Sequence, residues 1–238
     1  MNLKSFFLAF TIMLFIKNSA QTESLFVEYA VKSTSGKVGN GNYLLIQNGL
    51  SLYGRLLDKE DRTANIMGLY DVRRKSKSYT YKNGEGILSN DFIENKEFVI
   101  RDTVHDFEWK LLDDSTVDIL GFPCKKAEVN FRGRQYIAYY TENIRDSDGP
   151  WKFSGLPGLI LKVYSVDNYI SYEAIKIFRD KFETVLDPFD TNISRITFND
   201  FRVEYKNVYD RVTAPKTTAS GAQVRIEMAK ERKEKYID

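Results

Sequence analysis

Short runs of Val, Ile, Tyr and Phe, separated by Gly, Asn and Asp, fill the chain from Ser24 to about Leu186. β-Branched and aromatic residues favour extended strands, and Gly, Asn and Asp favour the turns between them. Helical periodicity is absent from this part of the sequence. The spacing therefore predicts antiparallel strands joined as hairpins, and an all-β or α+β protein.

The predicted strands follow one another as a meander. They cover residues 25–32, 42–47, 76–81, 87–93, 97–102, 107–112, 116–120, 124–131, 135–141, 159–167 and 169–179. Asp167 and Asn168 form a hairpin turn signal between the last two strands, which we expect near the centre of the sheet. Asp113 and Asp114 are interpreted as a turn between two further strands.

A helix is predicted late in the chain. Thr197, followed three residues later by Asp200, resembles a capping box at a helix start. An apolar stripe at spacings near three and four follows, formed by Phe198, Phe201, Tyr205 and Val208. We predict a mainly β or α+β fold, in which this helix packs on a curved antiparallel sheet that is open or curled into a half-barrel.

The N-terminus has the pattern of an export signal. Lys4 supplies a positive start, and residues 6–16 form an almost unbroken apolar run. A run of this length is too short to span a bilayer, which takes roughly 20 residues, but it suits the core of a signal peptide. With the small residue Ala20 at the cut, we expect residues 1–20 to be removed and the mature chain to begin at Gln21.

Cysteine usage agrees with a stable exported domain that is held together by packing. The single Cys124 can form no internal disulfide, and we expect a buried, inert thiol. No Cys stands directly after the apolar run, so a lipid anchor of the bacterial lipoprotein type is not expected. We predict one domain over residues 21–213 and a charged tail or helix over residues 214–238. The expected location is the periplasm, the outer membrane through a partner, or the cell exterior.

Charge balance argues against nucleic-acid binding. The chain carries 35 Lys and Arg against 33 Asp and Glu, and the predicted signal peptide removes Lys4 and Lys17 but no acid. The mature protein is therefore formally neutral. Binding to phosphate backbones needs an excess of basic side chains, so nucleic acid is not an expected partner.

Few residues offer catalytic or metal chemistry. His105 is the one histidine, which leaves little from which to build a nucleophile and base. One His and one Cys at unrelated positions give no recognisable metal spacing, so neither a metal nor a cofactor is expected. The alternative of a carboxylate-dependent hydrolase names Asp146, Asp148 and His105 as participants, provided that they converge in three dimensions.

The segment 148–162 is the most unusual part of the chain. It contains three Gly, two Pro and the aromatic residues Trp151 and Phe153. Pro157 and Gly158 suit the centre of a type II turn that leads into a strand. Rigid aromatics serve both as a packed plug, which is the interpretation that we favour for the segment itself, and as a binding platform. The candidate binding residues are Trp151, Phe153, Tyr136, Tyr139 and Tyr140.

The same segment carries a family resemblance. It contains the string Gly155-Leu156-Pro157-Gly158-Leu159-Ile160, preceded by Gly149-Pro150-Trp151-Lys152-Phe153 and by Phe131-Arg132-Gly133-Arg134. In these strings the chain resembles the GLPGLI family of exported proteins of Gram-negative bacteria. The resemblance implies action at the cell envelope alongside outer-membrane uptake systems. It implies no catalytic residue, cofactor or substrate.

These features favour a non-enzymatic binding module of the cell envelope. Its expected partner is an outer-membrane uptake protein or an apolar small molecule, and the 148–162 segment is expected to form one wall of the site. Two alternatives are the carboxylate-dependent hydrolase and a purely structural envelope component, which predicts a large apolar surface patch.

Overall fold

The structure is a computed structural model that describes residues 22–34, 38–55, 78–94, 96–102, 107–182, 187–189, 191–217 and 223–224. The strands are β1 (Thr22–Ser33), β2 (Val38–Gln47), β3 (Leu50–Arg55), β4 (Tyr79–Asn83), β5 (Gly86–Ile93), β6 (Lys96–Asp102), β7 (Lys110–Ile119), β8 (Phe122–Phe131), β9 (Arg134–Thr141), β10 (Leu159–Ser165), β11 (Ile170–Phe182), β12 (Arg195–Thr197), β13 (Lys216–Thr217) and β14 (Gln223–Val224). The helix α1 (Phe198–Thr213) follows β12 directly. The predicted signal peptide lies outside the described residues.

Twelve of the described strands form one sheet. Their order across it is β12-β6-β5-β4-β3-β2-β1-β11-β10-β9-β8-β7. Neighbouring strands run antiparallel, apart from β12, which runs parallel to β6. The sheet is open rather than closed on itself. The predicted fold class, a mainly antiparallel sheet with a late helix, is confirmed.

The strands β1, β10 and β11 lie in the interior of the sheet. β1 pairs with β11 from Thr22 opposite Phe182 to Ser33 opposite Ile170. The β10–β11 hairpin turns where predicted, and Asn168 adopts a left-handed φ of 58°, which Asn tolerates better than most residues. The expectation that these two strands lie near the centre of the sheet is confirmed.

The sheet is buried on both faces in the middle of β1, which explains why Leu25, Phe26 and Val27 are three apolar residues in succession. Alternate side chains of a strand point to opposite faces. Leu25, Val27 and Tyr29 therefore enter a main core, whereas Phe26 enters a second core on the other face. A third cluster forms where Phe201 and Tyr205 of α1 pack against strands β5 and β6.

The helix begins where its capping chemistry predicts. Thr197 is the N-cap, its hydroxyl accepts a hydrogen bond from Asp200 N, and the Asp200 carboxylate accepts one from Thr197 N. This reciprocal pair satisfies two of the backbone donors that every helix start leaves open. The predicted apolar stripe is also confirmed, because Phe201 and Tyr205 are buried and Phe198 and Val208 pack beside them.

One predicted turn is wrong. Residues 110–119 form the single strand β7, whereas the sequence suggested a turn at Asp113 and Asp114. The register of β7 against β8 shifts between Leu112 and Val117, so the acidic residues lie in an irregularity of a continuous strand. Pairing with β8 on both sides of this irregularity outweighs the local turn preference.

The end of the described chain contains a separate two-stranded pair, β13 and β14. Most of the predicted tail, residues 214–238, lies outside the described residues. In the part of the chain that the structure describes, no helix combines the length and the apolar character needed to cross a membrane.

Candidate functional site

The 148–162 segment folds back onto the main core. Asp148 and Ser154 form an isolated antiparallel bridge, and Ile160 N donates to Asp148 O at 2.9 Å. Trp151 is 5% exposed and Phe153 is fully buried. The segment is therefore a packed part of the domain.

Aromatic rings surround Phe153 at the centre of this packing. Its ring centroid lies 4.9 Å from that of Tyr136, 5.3 Å from that of Trp151 and 5.7 Å from that of Phe107. The indole N–H of Trp109 donates to Ser154 O at 2.8 Å. These contacts fix the segment at the angles and distances at which aromatic pairs are favourable.

The five candidate binding residues do not share one exposed surface. Tyr136 and Tyr140 are buried in the main core with Trp151 and Phe153, and Tyr139 is half-buried and hydrogen-bonded to Tyr164. Their role in contacting a ligand stays a prediction. Their packing role is what the structure shows.

At two positions of the segment only Gly fits, because neighbouring atoms lie too close to leave room for a Cβ atom. A Cβ atom on Gly158, whose φ is +144°, would lie 2.1 Å from Thr141 O, and one on Gly149 would lie 2.8 Å from Ile160 Cβ. Gly158 N donates to Leu156 O at 2.7 Å, so Pro157 is the centre of a three-residue turn. The predicted type II turn is wrong, because its second central residue needs φ near +80° whereas Gly158 has a φ of 144°.

A buried lysine holds the segment to β4. The ammonium group of Lys82 forms an ion pair with the Asp148 carboxylate and donates to Gly149 O and Phe153 O, each at 2.9 Å. Burial lowers the pKa of Lys82, and Asp148 acts in the opposite direction. All three donors of an ammonium group thus have partners.

These contacts do not assemble the catalytic site that the hydrolase alternative requires. Asp148 is committed to Lys82, and Asp146 lies beside it with its carbonyl oxygen accepting from Asp148 N at 2.8 Å. His105, the third proposed participant, lies outside the described residues.

A second buried charge cluster lies at the end of β6. The Asp102 carboxylate accepts a hydrogen bond from Arg132 Nη2 at 2.5 Å and lies 2.8 Å from Lys152 Nζ. The side chains of Asp102 and Lys152 are each 2% exposed. Burial by itself would raise the pKa of Asp102, but Lys152 and Arg132 together hold it below its usual value.

The first residue of α1 covers this cluster. The Arg132 guanidinium lies 3.5 Å from the ring centroid of Phe198 and 5.0 Å from that of Phe131. A cation that packs on aromatic rings is attracted by their negative faces and loses conformational freedom. The start of α1 and the β8–β9 turn are therefore joined through Arg132.

A cavity of about 380 Å³ opens beside the cluster and is called the arginine cleft. Its lining consists of Arg101, Asp102, Arg132, Thr197, Phe198, Asn199 and Arg202. Three guanidinium groups thus face one carboxylate. Since Asp102 is also ion-paired with Lys152, positive side chains outnumber negative ones among the described residues that line the cleft.

A smaller cavity of about 190 Å³ shares Arg101 with the arginine cleft and is called the Tyr81 cavity. Its lining consists of Tyr81, Asn83, Glu85, Gly86, Ile87, Leu88, Arg101, Asp187 and Arg195. Arg195 Nη2 donates to the Asp187 carboxylate at 2.8 Å. The Tyr81 cavity is therefore polar, with positive and negative side chains in equal number.

Metal-type ligands do not converge in the part of the chain that the structure describes. No group of three or more His, Cys, Asp or Glu side chains comes together there. Cys124 is fully buried, and its burial, together with Asp118, raises the pKa of the thiol to about 11. The prediction that Cys124 is buried and forms no disulfide is confirmed, and a raised thiol pKa favours the protonated form.

Sequence reasoning missed most of the arginine cleft. Arg132 and Lys152 stand inside the strings that carry the family resemblance, but no role followed from them. Arg101, Asp102 and Arg202 belong to no motif. The sequence offered one indication, namely that Arg132 and Lys152 stand in two separate strings of the family resemblance. In the structure both form ion pairs with the Asp102 carboxylate.

The fold places the chain among proteins built on an open, mainly antiparallel sheet. A family model described as "Protein of unknown function (Porph_ging)" matches residues 123–162, a stretch that runs from β8 into β10 and includes Arg132 and Lys152. The more specific resemblance to the GLPGLI family stays a prediction. A comparison with curated proteins found no match.

Solved structures share the fold at low sequence identity. One PNGF-II structure, in space group P21, is 18% identical in sequence to this chain, with a TM-score of 0.53. The match covers 80% of this chain and 34% of the PNGF-II chain. A second PNGF-II structure, in space group C2, is 19% identical with a TM-score of 0.50. That match covers 79% of this chain and 32% of the PNGF-II chain. This chain thus spans about a third of the length of those proteins, and the likeness is one of fold alone.

Proposed function

We propose that the protein is a non-enzymatic binding module of the cell envelope that holds an anionic ligand in the arginine cleft. The observation that supports this proposal is that three guanidinium groups line the cleft together with one carboxylate, which is already ion-paired with Arg132 and Lys152. Guanidinium groups bind phosphate, sulfate and carboxylate through paired N–H donors of fixed geometry. An anion is the ligand that such a lining favours.

The cleft is preorganised for this purpose. Arg132 is ion-paired with Asp102 and packs on the ring of Phe198, so it needs little ordering when a ligand arrives. Arg101 is exposed and has no ion-pair partner among the described residues. The first turn of α1 also lies at the cleft, and a helix start favours negative charge.

An anionic ligand replaces the apolar ligand suggested by the aromatic residues. Trp151 and Phe153 already pack against protein side chains. Both cavities described above are lined by arginine instead. Association with an outer-membrane uptake protein and export through the residue 1–20 signal remain part of the proposal, supported by the sequence.

Titration of the mature protein with inorganic phosphate tests the proposal. Isothermal calorimetry at low ionic strength is expected to show one bound phosphate per chain. The Arg101→Gln variant should bind about tenfold more weakly, because it loses a charge-assisted hydrogen bond. Added salt should weaken binding to the unaltered protein as well.

Arg179→Gln is the matched control, since Arg179 is an exposed arginine on β11 that lines neither cavity. It should leave phosphate binding unchanged. An equal loss in both variants would show binding by general surface charge, and no binding at all would contradict the proposal.

A further inference from the structure

The two cavities that share Arg101 differ in charge. The arginine cleft has an excess of positive charge, whereas in the Tyr81 cavity Arg101 and Arg195 are balanced by Glu85 and Asp187. A second anionic group in the Tyr81 cavity would face two carboxylates. The Tyr81 cavity therefore suits an uncharged group.

The lining of the Tyr81 cavity matches hydroxyl groups. Guanidinium groups only donate hydrogen bonds, carboxylates only accept them, and a hydroxyl does both. Glu85 is exposed, and its carboxylate has no ion-pair partner among the described residues. An apolar group would cover these polar atoms without satisfying them, at a cost in free energy.

The size and position of the Tyr81 cavity fit a group directly attached to the anion. About 190 Å³ corresponds to the volume of about six water molecules in the liquid. Arg101 lies opposite Leu88 of β5 and opposite Thr197 of β12, so it stands between the Tyr81 cavity and the start of α1. One ligand in contact with Arg101 can extend to either side.

We propose that the ligand is a sugar carrying an anionic group, with the anionic group in the arginine cleft and the hydroxyl-bearing ring in the Tyr81 cavity. This assignment rests on the proposed function, because it takes the arginine cleft as the anion site. It adds the chemical class of the ligand and gives Glu85 the role of a hydroxyl acceptor.

Three phosphate monoesters test the assignment by calorimetry: methyl phosphate, phenyl phosphate and glucose 1-phosphate. All three present the same phosphate group. Methyl phosphate adds almost nothing to it, phenyl phosphate adds an apolar ring, and glucose 1-phosphate adds a ring with hydroxyl groups. Glucose 1-phosphate is expected to bind about tenfold more tightly than methyl phosphate, from one or more added hydrogen bonds to charged groups. Phenyl phosphate should show no such gain.

The Glu85→Ala variant separates the two cavities. It should bring the ratio of the glucose 1-phosphate and methyl phosphate affinities close to one, while methyl phosphate still binds. Arg101→Gln should weaken both esters. Thermal unfolding curves that match those of the unaltered protein would show that each variant is folded.

The outcomes distinguish the two proposals. If methyl phosphate binds in an Arg101-dependent way but glucose 1-phosphate gains nothing, or keeps its gain in Glu85→Ala, the sugar assignment is wrong and the anion site stands. A gain with phenyl phosphate would likewise overturn the assignment in favour of an apolar extension. If none of the esters binds, the anion site itself is wrong.

Discussion

Asp102 determines the charge of the arginine cleft at the scale of single residues. Its carboxylate forms ion pairs with both Arg132 and Lys152, and without it these two cations would lose a shared counter-charge. Breaking a buried pair by removing one partner is usually costly, because the remaining charge stays desolvated. The same carboxylate therefore supports the fold and limits the positive charge available to a ligand.

The depressed pKa of Asp102 makes stability depend on acid pH. Above its usual pKa of about 3.8 the carboxylate is ionised in the folded and the unfolded chain, and its contribution to stability is complete. As the pH falls below that value, the unfolded chain takes up the proton first, so the free energy of unfolding decreases until the folded carboxylate is protonated as well. Urea unfolding between pH 6 and pH 3 should show this decrease.

The Asp102→Asn variant provides the comparison. It should be less stable at neutral pH by about 3–5 kcal/mol, since Lys152 and Arg132 lose their counter-charge. Its stability should also fall less steeply with acid than that of the unaltered protein. If the free energies of unfolding of the two proteins change with pH in parallel, the pKa of Asp102 is not lowered in the folded state.

The residues of the arginine cleft could not be predicted one by one. Arg101 and Asp102 stand at the end of an ordinary strand, and Arg202 stands on an ordinary helix. Asp102 meets Arg132 and Lys152 only in the folded protein, where β12 also aligns with β6 and places the start of α1 beside Arg101. Such alignment depends on pairing between distant segments, which a single sequence does not reveal.

Among the elements, α1 was predictable because its start is a local chemical event. Thr197 and Asp200 are three residues apart, and the capping box needs nothing beyond that spacing. Most of the strands were predictable for a similar reason, since alternation and turn residues are local, but β3 and the short strand β12 were not predicted. The continuous strand β7 was not, because its irregularity is bridged by pairing with β8 on either side.

Replacing the cap of α1 is expected to destabilise the protein. Thr197→Ala removes the hydroxyl that accepts from Asp200 N and should cost about 1 kcal/mol in the free energy of unfolding. Urea unfolding measures the change. Thr197→Ser keeps a capping hydroxyl and should stay close to the unaltered protein, so a similar loss in both variants would indicate that the methyl group of Thr197 matters instead of the cap.

At the scale of the whole molecule, the proposed location depends on the first twenty residues. Protein isolated from the envelope of its own cells is expected to begin at Gln21 and to appear in the soluble fraction outside the inner membrane. Intact mass measurement and N-terminal sequencing check both statements. A chain that retains Met1, or that stays inside the cell, would contradict the export proposal.

The central position of β1 has a consequence for how the chain folds. β1 is the first described strand, yet its neighbour β11 comes near the end of the sheet in sequence, and Thr22 pairs with Phe182. Closing such a long loop is entropically costly, and folds rich in distant pairings form slowly. The middle of the sheet therefore closes late, only after β11 has emerged, so a growing chain would keep its first strand unpaired on that side throughout most of its synthesis.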